Sequence, residues 1–137
     1  MNLFAYGTLM DPEIMAQVSG VLCRSEKAIL HQFVRKTVRG EVYPAIIMQQ
    51  GSSVDGVVYF DVSAAAYERL DKFEGSLYVR TETAVICDSG ECVKAHAYVI
   101  KAGHGHQLSD ADWSYEKFRA NHKRLFQGAY SGYDKLI

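Results

Sequence analysis

The sequence of 137 residues predicts an α+β fold, a small mixed or antiparallel β-barrel with flanking helices. Three observations lead to this prediction. Apolar runs of strand length outnumber helical patterns, giving about six to eight short strands and about three helices. The elements follow no regular βαβ alternation, which argues against a parallel sheet covered by helices. Because no repeat, linker or low-complexity stretch interrupts the chain, we expect residues 1–137 to form a single domain.

Composition and charge exclude several classes of function. The apolar fraction of 48% favours a packed globule, and the formal net charge of −1 gives no electrostatic basis for binding nucleic acid or an anionic membrane. No apolar run approaches the ~18 residues that a membrane-spanning helix needs, and the first residues lack the basic flank of a signal peptide. We expect a cytoplasmic protein with no nucleic-acid or membrane partner, whose oligomeric state stays open.

The first predicted elements are a short strand over Leu3–Tyr6, which Gly7 ends, and a helix that starts at Pro12. Asp11 precedes this helix as a capping residue, and proline fits the first helical position. Such a tight strand-to-helix connection leaves the backbone amides of Gly7–Leu9 pointing outward, as a cradle for a carboxylate or an oxyanion. A plain turn explains the same residues, so both interpretations stand at this point.

The next part of the chain predicts several short strands. The first helix ends at Gly20, and two or three strands are expected between Val21 and Val38. Another strand is expected over Tyr43–Met48, where Pro44 restricts the run to an edge strand or to the first residues of a strand.

A glycine-serine loop at Gly51–Ser53 is expected to separate that strand from a further one over Val54–Val62. Within the latter, Gly56 indicates a bulge or a close approach of another backbone. Ser63 is a suitable capping residue for the helix that follows, which Gly75 terminates after Glu74.

The C-terminal half predicts a hairpin and a final helix. Tyr78–Cys87 and Cys92–Ile100 alternate as two strands around a short turn. Ser109 and Asp112 resemble a capping box, and the last helix, expected over 112–127, carries an apolar stripe that should pack on the barrel. The tyrosine-containing tail beyond it has no assigned role.

The three cysteines are odd in number and do not form a disulfide framework. We expect Cys23, Cys87 and Cys92 to be buried, reduced thiols. Cys87 and Cys92 flank the predicted hairpin turn, and whether they ever pair stays open. His104 and His106 lie in a glycine-rich loop without a carboxylate or cysteine at ligand spacing, so we expect no metal site.

Glu74 is the residue whose position is most informative. Helical spacing places it on the same stripe as the apolar side chains that end at Phe73. Partial desolvation and the negative end of the helix dipole both raise the pKa of a carboxyl there, toward the ~6–7 that suits a general base. The alternative is a structural carboxylate held by Arg80 or by a backbone amide.

Two residues of the strand after this helix are further candidates. Tyr78 and Arg80 alternate onto one face, where they could contact a substrate, orient Glu74 or simply form sheet surface. Asp71 lies on the helix one turn before Glu74, and we expect it to be a solvated ion-pair partner.

Several segments together resemble a known family. The sequence is similar to the γ-glutamylcyclotransferase-like superfamily, most closely to its AIG2-like branch, in FAYGTLM at 4–10, YPAI at 43–46, VDGVVYFDV at 54–62 and RLDKFEGSLYVR at 69–80. The stretch DWSYEKFRANHKRLF at 112–126 is similar to a helix with acidic, tryptophan and aromatic residues that is appended to plant and fungal members.

The resemblance implies a closed β-barrel with a pocket between the glycine loop and one catalytic glutamate, which falls on Glu74. Its substrate-binding loop falls on Tyr6, Gly7, Thr8, Leu9, Met10 and Asp11, with Thr8 standing where many relatives have serine. It also implies a γ-glutamylcyclotransferase that needs no metal or cofactor. The α-amine of a γ-glutamyl amine or peptide attacks its own γ-carbonyl, giving 5-oxoproline and a free amine. A small-molecule binding module for γ-glutamyl or pyroglutamyl ligands, without turnover, is the alternative.

Overall fold

Five strands close into a barrel in the order β1-β3-β2-β4-β5. The strands are β1 (Leu3–Ala5), β2 (Ser25–Thr37), β3 (Pro44–Tyr59), β4 (Tyr78–Cys87) and β5 (Cys92–Ile100). All paired neighbours are antiparallel except β1 and β5, which run parallel. The structure, a computed structural model, describes residues 1–122. It confirms the predicted α+β barrel.

Helix α1 (Pro12–Ser19) has the start and end that the sequence predicts. The carboxylate of Asp11 accepts hydrogen bonds from the backbone amides of Glu13 (2.9 Å) and Ile14 (3.3 Å). Gly20 closes the helix with a φ of 78°, in the left-handed region that glycine adopts without strain. The helix therefore fixes the direction in which the chain leaves the glycine loop.

Helix α2 (Ala64–Glu74) begins at its predicted cap, since the Ser63 side chain accepts a hydrogen bond from an amide of the first turn. Its apolar side chains are buried, and α1 packs beside it. Arg69 joins the two helices by donating from Nε to the carbonyl of Val18 at 2.7 Å. Gly75 ends α2 directly after Glu74, so this carboxylate stands at the helix terminus.

The strands β2 and β3 are longer than predicted. The region expected to hold two or three strands is the single strand β2, and the expected loop at Gly51–Ser53 lies inside β3. His31 pairs with Ser53, whereas Phe33 pairs with Met48, so the residues between these partners bulge out of the ladder. The bulge keeps backbone pairing on both sides, which is why a turn-like sequence does not end the strand.

Gly56 is the point of close backbone approach that its place in a strand predicts. A β-carbon there would lie 2.4 Å from the carbonyl oxygen of Ala5 and 2.7 Å from the ring of Phe4. No side chain fits at this distance from a backbone atom. The contact lets β1 lie directly beside β3. It thereby fixes the position of the end of β1, where the glycine loop begins.

The predicted start of the last helix at Ser109 and Asp112 is wrong. Helix α3 (Tyr115–Lys117) begins after Ser114 and continues as a π-helical stretch through 118–122. Ser109 instead donates its hydroxyl proton to the carbonyl of Thr37 at 2.8 Å, because this segment lies extended along β2. The rest of the helix expected over 112–127, and the tyrosine tail, lie outside the described residues.

The segment before α3 is anchored on the barrel. Trp113 is buried and donates from Nε1 to the carbonyl of Val42 at 2.9 Å, and Phe118 is buried in the same apolar cluster. Packing of the remaining part of the helix stays a prediction. Within residues 1–122, none of the helices has both the length and the apolar character that crossing a membrane requires.

The cysteines are free thiols, but only one is buried. Cys87 is buried, Cys23 is intermediate and Cys92 is exposed. The expectation of burial is therefore wrong for Cys92, because it lies on the outer side of the hairpin, where alternate residues face solvent.

Candidate functional site

A small pocket lies between the loop after β1 and the C-terminal end of α2. Its volume is about 30 Å³, room for about two water molecules. Six of the predicted site residues line it: Tyr6, Gly7, Thr8, Leu9, Glu74 and Tyr78. The other walls are apolar or aromatic and come from β1, from Tyr43 and Pro44, from Phe73 and from Tyr98.

Three predicted site residues lie elsewhere. Asp11 uses its carboxylate to cap α1 and is 2% exposed, so its side chain serves the helix. Met10 lies beside α3, against the groove that Trp113 lines. Arg80 pairs with Asp71 in a neighbouring groove. These three side chains therefore do not line the pocket, whereas the turn ahead of Met10 does.

The glycine loop presents a row of backbone donors to the pocket. A 3₁₀ turn over Thr8–Met10 is closed by bonds from the Met10 amide to the Gly7 carbonyl (2.9 Å) and from the Asp11 amide to the Thr8 carbonyl (3.2 Å). The amides of Gly7, Thr8 and Leu9 donate to no acceptor among residues 1–122. Consecutive amides without a protein acceptor are chemically suited to an anion.

Other contacts hold this loop in place. The Tyr59 hydroxyl donates to the carbonyl of Leu9 at 2.7 Å, and Arg35 donates from Nη1 to the carbonyl of Tyr6 at 2.8 Å. A β-carbon on Gly7 would lie 2.9 Å from Cγ of Pro44, so glycine lets the β2–β3 hairpin approach the loop. The amides are therefore fixed before any ligand arrives.

Glu74 lines the same pocket, at the end of α2. Burial, together with the nearby carboxylate of Asp71, raises the pKa of Glu74 from its ordinary value to about 8. Near neutral pH such a carboxyl populates both its ionised and its protonated form. A group that accepts a proton and then returns it needs both forms. The predicted rise in its pKa is confirmed in direction, and burial is the larger cause.

Arg80, one of the two partners expected for a structural Glu74 carboxylate, pairs with Asp71 instead. Its Nε lies 3.1 Å from Oδ1 of Asp71, and its guanidinium stacks over the ring of Tyr67 at 4.4 Å from the centroid. Asp71 is thus the solvated ion-pair partner that the sequence predicts. The interpretation of Glu74 as a carboxylate locked by Arg80 loses its support.

The tyrosines of the pocket use their protons on the protein itself. The hydroxyl of Tyr6 donates to the carbonyl of Tyr98, and that of Tyr78 donates to the carbonyl of Pro44 at 2.7 Å. The Tyr98 hydroxyl donates to Oδ1 of Asp71 at 2.6 Å. Since a phenol has a single proton, a ligand meets these oxygens as hydrogen-bond acceptors.

Burial keeps the phenols of Tyr43 and Tyr98 neutral. It raises the pKa of Tyr43 to about 12, with added repulsion from Glu41 and Glu74. It raises the pKa of Tyr98 still further, helped by the hydrogen bond to Asp71. Glu74 is therefore the pocket-lining group whose titration lies near neutral pH.

Sequence reasoning missed two of the aromatic walls. Tyr43 stands beside a proline that begins a strand, a position that gives no sign of the distant glycine loop. Tyr98 pairs with Arg80 across the β4–β5 hairpin. Because that hairpin is predictable, its register could have placed Tyr98 near the end of α2.

The raised pKa of Glu74 predicts how its replacement changes stability with pH. A carboxyl whose folded-state pKa exceeds its unfolded value near ~4.3 stabilises the fold below that value, and this contribution is lost as pH rises through about 8. We expect Glu74→Gln to unfold like the wild type at pH 4 and to be more stable than it at pH 8.5. Denaturant unfolding at both pH values measures this, and equal differences at both would contradict it.

The chain has recognisable relatives. Residues 3–115 match the family model described as gamma-glutamyl cyclotransferase, AIG2-like. Protein AIG2 C of Arabidopsis thaliana is 29% identical over 126 residues, which cover 91% of this chain and 76% of the relative.

Solved structures share the architecture. A solution structure of an Arabidopsis thaliana protein superposes with a TM-score of 0.72 at 29% identity, covering 93% of this chain and 77% of that one. A structure named gamma-glutamyl cyclotransferase superposes with a TM-score of 0.64 at 21% identity, covering 73% and 66%. At that identity the second likeness shows the fold alone.

Proposed function

This chain belongs to the gamma-glutamyl cyclotransferase, AIG2-like family, and from that membership and its pocket we propose that it is an enzyme of the cyclotransferase type. Its reaction is intramolecular aminolysis of a γ-glutamyl amine or peptide, which releases 5-oxoproline and a free amine. Glu74 acts as general acid and base, and the loop of Tyr6–Leu9 binds the substrate together with Tyr78.

One observation carries this proposal. The amides of Gly7–Leu9, which have no acceptor among residues 1–122, line the same pocket as the Glu74 carboxyl, whose pKa is about 8. A row of fixed donors on one side and a proton-accepting group on the other is the arrangement that acyl transfer needs. Neither half alone distinguishes this pocket from an ordinary turn and a buried acid.

The two sides of the pocket match a γ-glutamyl group. Its negative oxygen, on the α-carboxylate or developing on the γ-carbonyl, suits the amides of Gly7–Leu9. Its α-ammonium carries only donors, which suit the Glu74 carboxylate and the hydroxyl oxygens of Tyr78 and Tyr98. The narrow cavity holds only part of the molecule, so the leaving amine extends beyond the mouth.

The reaction moves two protons from the α-ammonium to the departing nitrogen. Ionised Glu74 removes a proton from the α-ammonium, and the freed amine lone pair attacks the γ-carbonyl carbon to form the ring C–N bond. Protonated Glu74 then gives this proton to the departing nitrogen as the original amide bond breaks. The ring nitrogen loses its surplus proton through the same carboxyl to the expelled amine, which leaves as an ammonium, so the enzyme ends as it began. Because nucleophile and electrophile belong to one molecule, folding the substrate into its cyclising conformer supplies much of the acceleration.

A panel of γ-glutamyl compounds tests the proposal. We expect the wild-type protein to release 5-oxoproline and the free amine in equal amounts from at least one member of a panel of γ-glutamyl amines, γ-glutamyl amino acids and γ-glutamyl peptides. The matched α-glutamyl compounds should release no amine, because expelling it would require the α-amine to close a three-membered ring on the α-carbonyl. Saturable binding across the panel with no 5-oxoproline would refute the enzyme and favour the binding module.

The redox state of the cysteines indicates the kind of compartment in which the protein works. Cys23, Cys87 and Cys92 are all free, as is usual in a reducing compartment. We accordingly propose a cytoplasmic location.

A further inference from the structure

A second groove adjoins the pocket on the outer side of β4 and β5. It shares Tyr78 and Tyr98 with the pocket, and its charged side chains are those of Asp71 and Arg80. These residues are linked, because the Tyr98 hydroxyl donates to Oδ1 of Asp71 at 2.6 Å and Arg80 Nε lies 3.1 Å from the same oxygen. Tyr98 thus connects a carboxylate in the groove with the wall of the pocket.

Helix α2 places that carboxylate close to Glu74. Asp71 lies one helical turn before Glu74 and on the same side of the helix. Its side chain is 45% exposed, whereas Glu74 is turned into the pocket. The helix therefore carries one exposed and one half-buried carboxyl at its end, with Tyr98 in contact with the first.

We propose that Asp71 is a positioning residue for Glu74: its carboxylate holds the Tyr98 hydroxyl against the pocket and keeps a negative charge one helical turn from the catalytic carboxyl. The inference rests on the proposed function, since it assigns the residue that sets how strongly Glu74 holds its proton. Arg80 is the counter-ion of Asp71. It holds the Asp71 carboxylate in place and limits the electrostatic effect of Asp71 on Glu74.

The other groups around Glu74 do not supply this charge. The loop after β1 contributes Tyr6 and backbone amides, and β5 contributes Tyr98. From the β2–β3 turn come Tyr43, a neutral phenol, and Glu41, which lies beside that phenol.

From β4 come Tyr78, which is bonded to a carbonyl, and Arg80, whose cation is paired. His96 lies in the outer groove, against the ring of Tyr67. Asp71 is the nearby carboxylate that acts on Glu74.

Asp71→Asn tests the proposal, because the amide keeps an acceptor for Tyr98 but removes the charge. In the wild type kcat/KM should rise with pH as Glu74 ionises. In the variant we expect the acidic limb of this profile to shift to lower pH by roughly half to one pH unit. The plateau value of kcat/KM should fall several-fold, because a weaker base takes the proton. A change in packing alone would lower the profile without moving its limb.

Three further variants sharpen the comparison. Glu68→Gln removes an exposed carboxylate from another face of α2 and should leave the limb unchanged. Arg80→Gln removes the counter-ion and should shift the acidic limb to higher pH. Asp71→Glu restores the charge and should return the limb toward the wild-type position.

A titration without substrate separates this inference from the proposed function. The carboxyl carbon of Glu74, labelled with ¹³C and assigned by its loss in Glu74→Gln, should titrate at a lower pH in Asp71→Asn than in the wild type. An unchanged ¹³C titration and an unmoved kinetic limb would overturn the role of Asp71. Absence of turnover in the wild type would refute the cyclotransferase, while the ¹³C titration would still decide whether Asp71 controls Glu74.

Discussion

Glu74→Gln should abolish most of the turnover. We expect kcat for 5-oxoproline release to fall by about 10²–10⁴-fold, the range that general acid–base catalysis contributes. Glutamine keeps the size and hydrogen-bonding capacity of the side chain but cannot accept the proton of the α-ammonium. The fixed amides of Gly7–Leu9 are unaffected, so binding of 5-oxoproline should persist within a few-fold of the wild type.

Steady-state kinetics with 5-oxoproline quantified by chromatography measure this effect. Glu68→Gln is the matched control, since it makes the same chemical change at an exposed position of α2 and should leave kcat unchanged. If Glu74→Gln turns over γ-glutamyl substrates as fast as the wild type, the catalytic role belongs to another group.

Gly56→Ala should have the largest effect on stability. The added β-carbon would meet the Ala5 carbonyl oxygen at 2.4 Å and the Phe4 ring at 2.7 Å, and the carbonyl, as part of the backbone, cannot move without shifting β1 from β3. We expect the free energy of unfolding to fall by about 3 kcal/mol, the upper part of the range for an overpacked site. Since β1 leads directly into the glycine loop, 5-oxoproline binding should weaken as well.

Denaturant unfolding compares this variant with a milder glycine replacement. In Gly105→Ala the new β-carbon would lie 3.2 Å from the flexible end of Ile47, which can turn aside, so the cost should stay under about 1 kcal/mol. Equal stability losses in the two variants would show that the contact between β1 and β3 is not as rigid as described.

Local signals in the sequence predict much of this fold. The caps Asp11 and Ser63 accept hydrogen bonds from the first turns of their helices, and Gly20 and Gly75 end those helices as expected. The β4–β5 hairpin has its predicted bounds. Each of these features depends on residues a few positions apart, so the sequence contains the whole interaction.

Features that depend on distant partners were not predictable in the same way. The turn-like Gly51–Ser53 stays within β3 because Gln32, on the opposite strand, accepts a hydrogen bond from the amide of Gly51 at 2.8 Å. Ser109 looks like a helix cap, but Thr37 of β2 offers its carbonyl and holds the segment extended. Tertiary hydrogen bonds override the local preference at both places.

The candidate site divides along the same line. Glu74 follows from helical periodicity, and the amides of Gly7–Leu9 follow from a strand that stops at a glycine. The walls of the pocket could not be predicted in this way, because packing of the β2–β3 hairpin brings Tyr43 to the pocket. Arg80 was expected near a ligand, but its nearest carboxylate is Asp71, a partner that the spacing of a single strand cannot reveal.

A crystal structure with bound 5-oxoproline tests the central claim most directly, namely that the loop amides and Glu74 act on one ligand. We expect the ligand in the pocket, with an oxygen within ~2.7–3.2 Å of the amides of Gly7–Leu9 and its ring nitrogen within hydrogen-bond reach of the Glu74 carboxyl. A ligand bound in the pocket without contact to Glu74, or bound elsewhere on the protein, would contradict it.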